Sequence, residues 1–255
     1  YYDKAYNGPR YRVENCTVNG KPLLYFCCQD ELVLDGVEAG EVIALYCDNV
    51  TLRNLSACVQ VLDFDYVALE GVHESHCDFG AYLVGYYDRG EEVAIEIANS
   101  SFSFNDLSGL YLGTPSKVVL SNVSLTDDSV WLPLFLGGKA KVEEEQFTFE
   151  NCTVNGKPLL YFYNCSNFEV IEDCGQLVLA YCNNVSIRGI SACINAYYCN
   201  NVTFEDVEQQ NNDFGAFMIY CSDIYMTNCS FSHNDFMGAF VISELASLTR
   251  CVFDD

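Results

Sequence analysis

Short segments of alternating hydrophobic and polar residues recur along the chain, each preceded by a polar turn. Val185-Ser186-Ile187 follows Cys182-Asn183-Asn184, and Val202-Thr203-Phe204 follows Cys199-Asn200-Asn201. Such alternation predicts β-strands with one buried face, and asparagine at a turn tolerates the left-handed backbone conformation. No window of about 11 residues carries a helical apolar stripe, so the pattern predicts an all-β protein.

The turn signature has a regular period in the second half of the chain. It recurs at Cys165, Cys182, Cys199 and Cys221, at intervals of 17, 17 and 22 residues. Repeats of about 20 residues built from short strands are typical of a solenoid, and a repeat without a helix favours a parallel β-helix. Equivalent residues of successive repeats would then lie about 4.8 Å apart, so one side chain can serve the same corner in every repeat. A β-sandwich of antiparallel sheets is the alternative.

The chain also contains a longer duplication. Residues 15–26 recur letter for letter as residues 151–162, and Asp78-Phe79-Gly80-Ala81 matches residues 213–216. We therefore predict a first β-helix copy over residues 1–128, a connector over 129–150 and a second copy over 151–255.

These motifs resemble a known repeat class. The pattern N-[VC]-[TS]-[IFV], followed by polar turn residues and G-[AI]-x-[LI], is similar to the right-handed parallel β-helix repeats of the PbH1, or NosD-like, class. The series that starts at Asn151 resembles β-helix segments of large archaeal cell-surface proteins. The resemblance covers nearly the whole chain and implies a right-handed parallel β-helix at the cell surface. Members of this fold class include adhesion proteins, an accessory protein for copper enzymes and polysaccharide-degrading enzymes, so the fold alone does not identify a function.

The chain is strongly acidic, with a formal net charge of −24 and only 12 lysine and arginine residues. This charge disfavours binding to nucleic acid or to an anionic membrane. No apolar run approaches the roughly 18 residues of a membrane-spanning helix. We expect no cofactor, although an acidic surface could associate with Ca²⁺.

The chain is cysteine-rich, with 15 cysteines. Zinc sites favour local pairs such as C-x₂-C, whereas here only Cys27 and Cys28 are close, and neighbours in a strand point to opposite faces. Cys199 replaces Phe64 of the first copy, which does not suit a required metal ligand. We expect stacked core thiols at Cys165, Cys182, Cys199 and Cys221, where the stacking distance of about 4.8 Å is too long for a bridge. The disulfide candidates lie near loops and are Cys27, Cys28, Cys77 and Cys174; metal binding is the third possibility.

A carbohydrate-active enzyme would need clustered carboxylates. Asp63 and Asp65 are spaced to share one strand face, and with Asp88 in the 87–93 insertion they are the candidate acids. Asp78 and Asp106 recur in the second copy as Asp213 and Asp235, beside turns where aspartate is ordinarily structural. Copper delivery would favour clustered histidine and methionine, but His73, His76, His233 and the three methionines are dispersed.

Ten N-x-[ST] sequons are candidate glycosylation sites if the chain is exported. They lie at Asn15, Asn49, Asn54, Asn99, Asn122, Asn151, Asn164, Asn184, Asn201 and Asn228. Asparagine followed by a strand is also what the turns of a β-helix look like, so a purely structural role is the alternative.

The leading hypothesis is a non-enzymatic extracellular structural protein of a cell-surface layer, sheath or filament. It would self-associate through its β-solenoid ends and its aromatic surface, and its partners would be further copies, other cell-surface proteins or glycans. The alternatives are a polysaccharide lyase or hydrolase and a glycan-binding adhesion module.

Overall fold

A computed structural model describes residues 11–85, 93–113, 115–131, 147–210, 214–234 and 237–254. Over these ranges the protein consists of strands and turns, without a helix. The described strand pairs are parallel except for two short antiparallel pairs. The prediction of an all-β protein is thereby confirmed, and an antiparallel sandwich does not fit these pairings.

The strands up to residue 150 are short. They are β1 (Thr17–Val18), β2 (Lys21–Cys27), β3 (Glu31–Asp35), β4 (Glu41–Leu45), β5 (Asn49–Arg53), β6 (Cys58–Leu62), β7 (Tyr66–Glu70), β8 (His73–Ser75), β9 (Phe79–Val84), β10 (Ala94–Ala98), β11 (Ser101–Ser103), β12 (Ser108–Gly113), β13 (Lys117–Ser121), β14 (Ser124–Thr126), β15 (Val130–Trp131) and β16 (Phe147–Glu150).

The strands after residue 150 include two long ones. They are β17 (Thr153–Val154), β18 (Lys157–Tyr163), β19 (Ser166–Val170), β20 (Gln176–Ala180), β21 (Asn183–Arg188), β22 (Cys193–Tyr197), β23 (Asn200–Glu205), β24 (Glu208–Gln210), β25 (Phe214–Thr227), β26 (Ser230–Ser232), β27 (Met237–Thr249) and β28 (Val252–Asp254).

The described strands form four sheets, in which most neighbours are equivalent strands from successive repeats. A seven-stranded sheet has the order β1-β2-β4-β6-β9-β12-β15, and a six-stranded sheet has the order β16-β13-β10-β7-β5-β3. A 12-stranded sheet has the order β19-β21-β23-β25-β22-β20-β18-β17-β14-β11-β8, with β27 beside β25, and β24, β26 and β28 form the fourth sheet. Apart from the antiparallel pairs β1–β2 and β17–β18, each strand therefore pairs with strands of neighbouring repeats rather than with its neighbour in sequence.

The register of these pairs places similar side chains over one another. Val50, Val67, Ile95 and Val118 are successive partners, and all four are fully buried. The alternation read in the sequence thus supplies a buried ladder along β5, β7, β10 and β13. Each such valine or isoleucine side chain contributes about 1.5–3 kcal/mol by its removal from water.

Residues in the left-handed conformation turn the chain between strands. Tyr46 and Asn54 in one repeat have φ values of 56° and 52°, and His76 in the next repeat has a φ value of 61°. Their N–H groups still donate to the next repeat, for example Tyr46 to the Leu62 carbonyl at 2.9 Å and Asn54 to the Glu70 carbonyl at 2.9 Å. The corners therefore change the chain direction without interrupting the backbone ladder. Asparagine is common at these positions because it tolerates this conformation better than most residues.

The second half departs from simple alternation. All five positions of β20 and all five of β22 are buried, so this part of the 12-stranded sheet is covered on both faces. Val178 of β20 and Tyr197 of β22 lie on one face of this sheet. They belong to the same hydrophobic cluster as the core of residues 32–130. Leu177 and Ile194 belong to a second cluster that fills the interior of residues 170–231.

Strand pairing continues directly from the first copy into the second. β16 pairs with β13 and β17 pairs with β14, which brings Phe147 against Val118 and Val154 against Leu125. β15 is the last strand of the seven-stranded sheet, and the Gln176 side chain lies beside it in the place of a further strand. Its Oε1 accepts from the Val130 N–H at 3.0 Å, and its Nε2 donates to the Val130 carbonyl at 2.8 Å. We call this region the copy junction; residues 132–146 of the predicted connector lie outside the described residues.

Candidate functional site beside the Cys58–Cys77 disulfide

Two adjoining cavities flank a disulfide between Cys58 and Cys77, and we call them together the disulfide cleft. Their volumes are about 170 and 210 Å³, and Asn19 and both cysteines line both of them. Cys58 begins β6 and Cys77 follows β8, so the parallel stacking of repeats brings these positions together. Cys77 was a disulfide candidate from the sequence, whereas its partner Cys58 was not.

Acidic groups surround the larger cavity. Glu41, His76, Asp78 and Asp106 line it, and the Gln60 Nε2 donates to the Glu41 Oε1 at 2.8 Å. Desolvation raises the pKa of the Glu41 carboxyl, the Asp78 charge raises it further, and the Gln60 hydrogen bond opposes both. Each cavity is below the roughly 300 Å³ of ordinary ligand pockets, so the cleft fits waters or a small ion better than a sugar chain.

Glu74 is the most unusual group at this site. It lines the smaller cavity but its side chain is directed into the core, with 6 % of the residue exposed. A Cβ atom built on Gly80 would lie 2.6 Å from the Glu74 Oε2, so the carboxyl group packs directly on a bare backbone. Desolvation raises the pKa of Glu74 to about 7, and the side chain of Asn105 offsets this only in part.

The side chain of Asn105, near Glu74, is engaged with other groups. The Asn105 Nδ2 donates to the Asp128 Oδ2 at 3.0 Å, and its Oδ1 accepts from the Cys77 N–H at 2.9 Å. Neither oxygen of Glu74 has a hydrogen-bond partner among the residues that the structure describes. A carboxyl group in such a place is most stable in its protonated form.

The second copy supports this protonation state. The residue equivalent to Glu74 is Gln209, a neutral side chain of the same shape, which is 2 % exposed. Sequence reasoning missed Glu74. The signal was an ionisable residue at the inward-facing position of β8, where the second copy has the neutral Gln209.

The acids proposed from the sequence as catalytic candidates do not join the cleft. Asp63 occupies a corner with φ 58°, and the Asp65 N–H donates to the Asp48 carbonyl at 3.1 Å. Neither residue lines either cavity. Asp88, like Asp213 and Asp235, lies outside the described residues.

The predicted thiol ladder lies along one corner of the second copy. Cys182, Cys199 and Cys221 are buried and Cys165 is half-buried, and none of the four is in a disulfide. A side-chain hydrogen bond with Cys199 lowers the pKa of Cys182 to about 7 and also lowers that of Cys221. Cys174 is a fully buried thiol whose pKa desolvation raises to about 12, so it is not a reactive group.

Metal ligands do not cluster in the described part of the chain. No group of three or more histidine, cysteine, aspartate or glutamate side chains there has an arrangement that could hold a metal ion. The histidines make local contacts: the His73 Nδ1 lies 2.8 Å from the Ser101 Oγ, and the His76 ring stacks on Phe104 at a centroid distance of 5.7 Å.

Most sequon asparagines lie at left-handed corners. Nine of the ten have φ values between 50° and 56°: Asn15, Asn54, Asn99, Asn122, Asn151, Asn164, Asn184, Asn201 and Asn228. Several side-chain amides form ladders between repeats. In one, Asn201 donates to Asn184 at 3.0 Å and Asn184 donates to Asn167 at 2.7 Å; in another, Asn151 donates to Asn122 at 3.3 Å and Asn122 donates to Asn99 at 3.1 Å. Attachment of a glycan at Nδ2 of such a residue would compete with its ladder hydrogen bond.

Asn184 is the middle member of its ladder and gives a direct test of it. We expect Asn184→Ala to lower the free energy of unfolding by about 2 kcal/mol, from the lost hydrogen bonds and from alanine in the left-handed conformation. Asn184→Gly is the matched control, because it removes the same amide but glycine adopts the left-handed conformation readily. It should lower the free energy of unfolding by only about 1 kcal/mol. Urea unfolding at equilibrium measures both values. Equal losses in the two variants would show that the corner conformation is not a constraint.

No helix in the described residues is long and apolar enough to cross a membrane. Comparisons of the chain with models of known protein families, with curated proteins and with solved structures found no significant match.

Proposed function

We propose that the chain is a right-handed parallel β-helix in two tandem copies, and that it serves as a non-enzymatic structural protein of an extracellular surface layer, sheath or filament. The parallel, in-register sheets and the repeated left-handed corners support the β-helix. The observation that carries the structural role is the copy junction, where the end of the first copy contacts the start of the second. Segments equivalent to both sides of this contact are found again near the two ends of the described chain.

One side of the junction recurs at residues 11–18. This segment is equivalent to residues 147–154, and the two share Glu-Asn-Cys-Thr-Val. In the junction Val154 pairs with Leu125, and both are fully buried. Val18, the counterpart of Val154, is only half-buried.

The other side of the junction recurs at β27 and β28. Phe253 is the counterpart of Leu125, since Phe253 pairs with Phe231 as Leu125 pairs with Phe102. Phe253 is 42 % exposed and Val252 is 53 % exposed, although the preceding Phe231 is completely buried. Leu248 of β27 likewise pairs with Met226 of β25. Leu248 is 50 % exposed, whereas Met226 is 1 % exposed. This surface presents the inward-facing ladders of the sheets to solvent.

A second copy of the chain fits both surfaces. Residues 11–18 of one molecule would add to β27 and β28 of another in the register of the copy junction, with Val18 against Phe253 and Val13 against Leu248. The added strands would pair with the edges of β27 and β28 that have no further partner among the described strands, and natural proteins otherwise cover or shorten such edges. Because the two surfaces are different, the contact is heterologous and repeats into a filament or a ring.

Association of the chain should depend on Phe253. We expect the 255-residue chain to form ordered polymers in electron micrographs, and Phe253→Lys to raise the concentration needed for assembly about tenfold or more, because burial of one such side chain contributes about 1.5–3 kcal/mol. Phe104→Lys is the control, since Phe104 is a 48 % exposed phenylalanine that belongs neither to residues 11–18 nor to β27 and β28. Monomers alone at high concentration in light scattering, or equal effects of the two variants, would contradict the proposal.

The disulfide cleft favours a second candidate, a carbohydrate-active enzyme, because it groups Glu41, Asp78 and Asp106 with His76 and, in the adjoining cavity, Lys21. Its small volume and the interior position of Glu74 make this the weaker proposal. Cleavage of a uronate polysaccharide that Asp78→Asn abolishes, in a chain that forms no polymers, would replace the structural role by this one.

A further inference from the structure

Cys27 and Cys28 bring their sulfur atoms together at the surface of the first copy. The Sγ atoms are 3.0 Å apart. Cys27 ends β2, and Cys28 takes the left-handed conformation of the corner with φ 58°. In a regular strand these neighbours would point to opposite faces, as expected from the sequence. The corner conformation at Cys28 instead turns its side chain toward that of Cys27.

Both thiols can be reached by a small reagent. Cys28 is exposed, Cys27 is half-buried, and neither is in a disulfide in this structure. Their separation is about 1 Å longer than the 2.03–2.05 Å of a disulfide bond. Formation of the bond therefore requires the two sulfur atoms to move about 1 Å closer together.

The ring formed by such a bond would be strained. The Cα atoms of adjacent residues are about 3.8 Å apart, whereas ordinary disulfides span about 4.4–6.8 Å. The Cys58–Cys77 bridge has a Cα–Cα distance of 6.0 Å, within that range. Strained and exposed disulfides are reduced more easily than unstrained ones. The pair is therefore suited to reversible oxidation rather than to permanent cross-linking.

We propose that Cys27 and Cys28 are a redox-reversible modification site that forms a vicinal disulfide by exchange with a low-molecular-weight disulfide. The Cys28 thiolate attacks one sulfur of the small disulfide and displaces one thiolate. The Cys27 thiolate then attacks the Cys28 sulfur of the mixed disulfide and displaces the second thiolate. The two cysteines lose two electrons and two protons in total, and the small disulfide becomes two thiols.

The site belongs to the first copy alone, because the equivalent residues of the second copy are Tyr163 and Asn164. Its main competitor is Cys47, which follows the next corner residue, Tyr46, along the same edge. Cys47 is completely buried, and its Sγ donates to the Leu45 carbonyl at 3.4 Å. Burial also raises the pKa of the Cys47 thiol, which makes it a poorer nucleophile.

Peptide mapping of the intact chain tests the proposal. The chain is first reduced mildly and then equilibrated with mixtures of oxidised and reduced glutathione. We expect the peptide that contains residues 27 and 28 to lose the mass of two hydrogen atoms, with no glutathione attached. This bond should be reduced at a roughly tenfold or more lower thiol-to-disulfide ratio than the Cys58–Cys77 bond.

Three variants separate the alternatives. Cys47→Ser should leave the mass loss unchanged, whereas Cys28→Ser and Cys27→Ser should abolish it. A Cys28–Cys47 cross-link, a stable glutathione adduct in the unaltered chain, or a bond as resistant to reduction as Cys58–Cys77 would each overturn the proposal. Circular dichroism of the Cys28→Ser chain checks that loss of the signal does not reflect unfolding.

Discussion

Replacement of Glu74 by glutamine is expected to leave the free energy of unfolding unchanged near pH 4 and to raise it by about 3 kcal/mol at pH 9. The folded-state pKa of Glu74 is about 7, and its ordinary value is 4.5. Below pH 4.5 the carboxyl group is protonated in both states, so it imposes no penalty. Between pH 4.5 and about 7 the unfolded chain releases this proton while the folded chain keeps it, so the free energy of unfolding falls as the pH rises. The loss is complete once the pH has passed through 7 and the folded protein carries a buried carboxylate. Glutamine keeps the shape and never ionises.

Equilibrium urea unfolding of the native chain and of Glu74→Gln between pH 4 and pH 9 measures this effect. The reciprocal change Gln209→Glu is the matched control in the second copy and should introduce a loss of stability over the same pH range. A difference between Glu74→Gln and the native chain that is the same at pH 4 and pH 9 would show that packing, not ionisation, is responsible.

Gly175→Ala is expected to lower the free energy of unfolding by about 3 kcal/mol or more. A Cβ atom at Gly175 would lie 1.9 Å from the Val154 carbonyl oxygen, which is a backbone atom and cannot rotate away. The glycine cannot retreat either, because its N–H donates to the Pro158 carbonyl at 2.9 Å and its carbonyl accepts from the Cys193 N–H at 3.0 Å. A Cβ atom at the duplicate Gly40 would likewise collide with the Val18 carbonyl oxygen, so the same close approach is built into both copies.

Gly189→Ala is the control for this prediction. Gly189 has φ 59° and open space around its Cβ direction, so alanine there should cost only about 1–2 kcal/mol from the left-handed conformation. Chemical denaturation of the two variants distinguishes a collision from a conformational preference. A loss at Gly175 no greater than that at Gly189 would mean that the backbone at the start of the second copy can shift.

The regular part of the fold could be predicted from the sequence because each strand obeys the same local rule. Alternation as in Asn49–Arg53, with a polar corner before and after it, specifies a strand with one buried face wherever it occurs. Equal spacing of such strands then indicates pairing between repeats. The predicted boundaries of the two copies remain a prediction, and the described ends of the connector take part in strands.

The special positions could not be predicted because they depend on what lies beside a strand. Gln176 and Glu41 occupy equivalent places, yet Gln176 bonds the backbone of Val130 and Glu41 faces the disulfide cleft. Periodicity also placed Cys27 and Cys28 on opposite faces, since it contains no information on where a strand ends and a corner begins. The pairing of Cys58 with Cys77 likewise depends on the stacking of two repeats, 19 residues apart in sequence.

One corner of the second copy carries a row of tyrosine rings. Tyr181 stacks on Tyr198 at a centroid distance of 5.1 Å with 4° between the planes, and Tyr198 stacks on Tyr220 at 5.0 Å with 21° between them. Chromophores this close and this nearly parallel share their electronic excitation. The protein therefore carries an intrinsic optical reporter, in its near-ultraviolet circular dichroism, of whether three successive turns of the chain are in alignment.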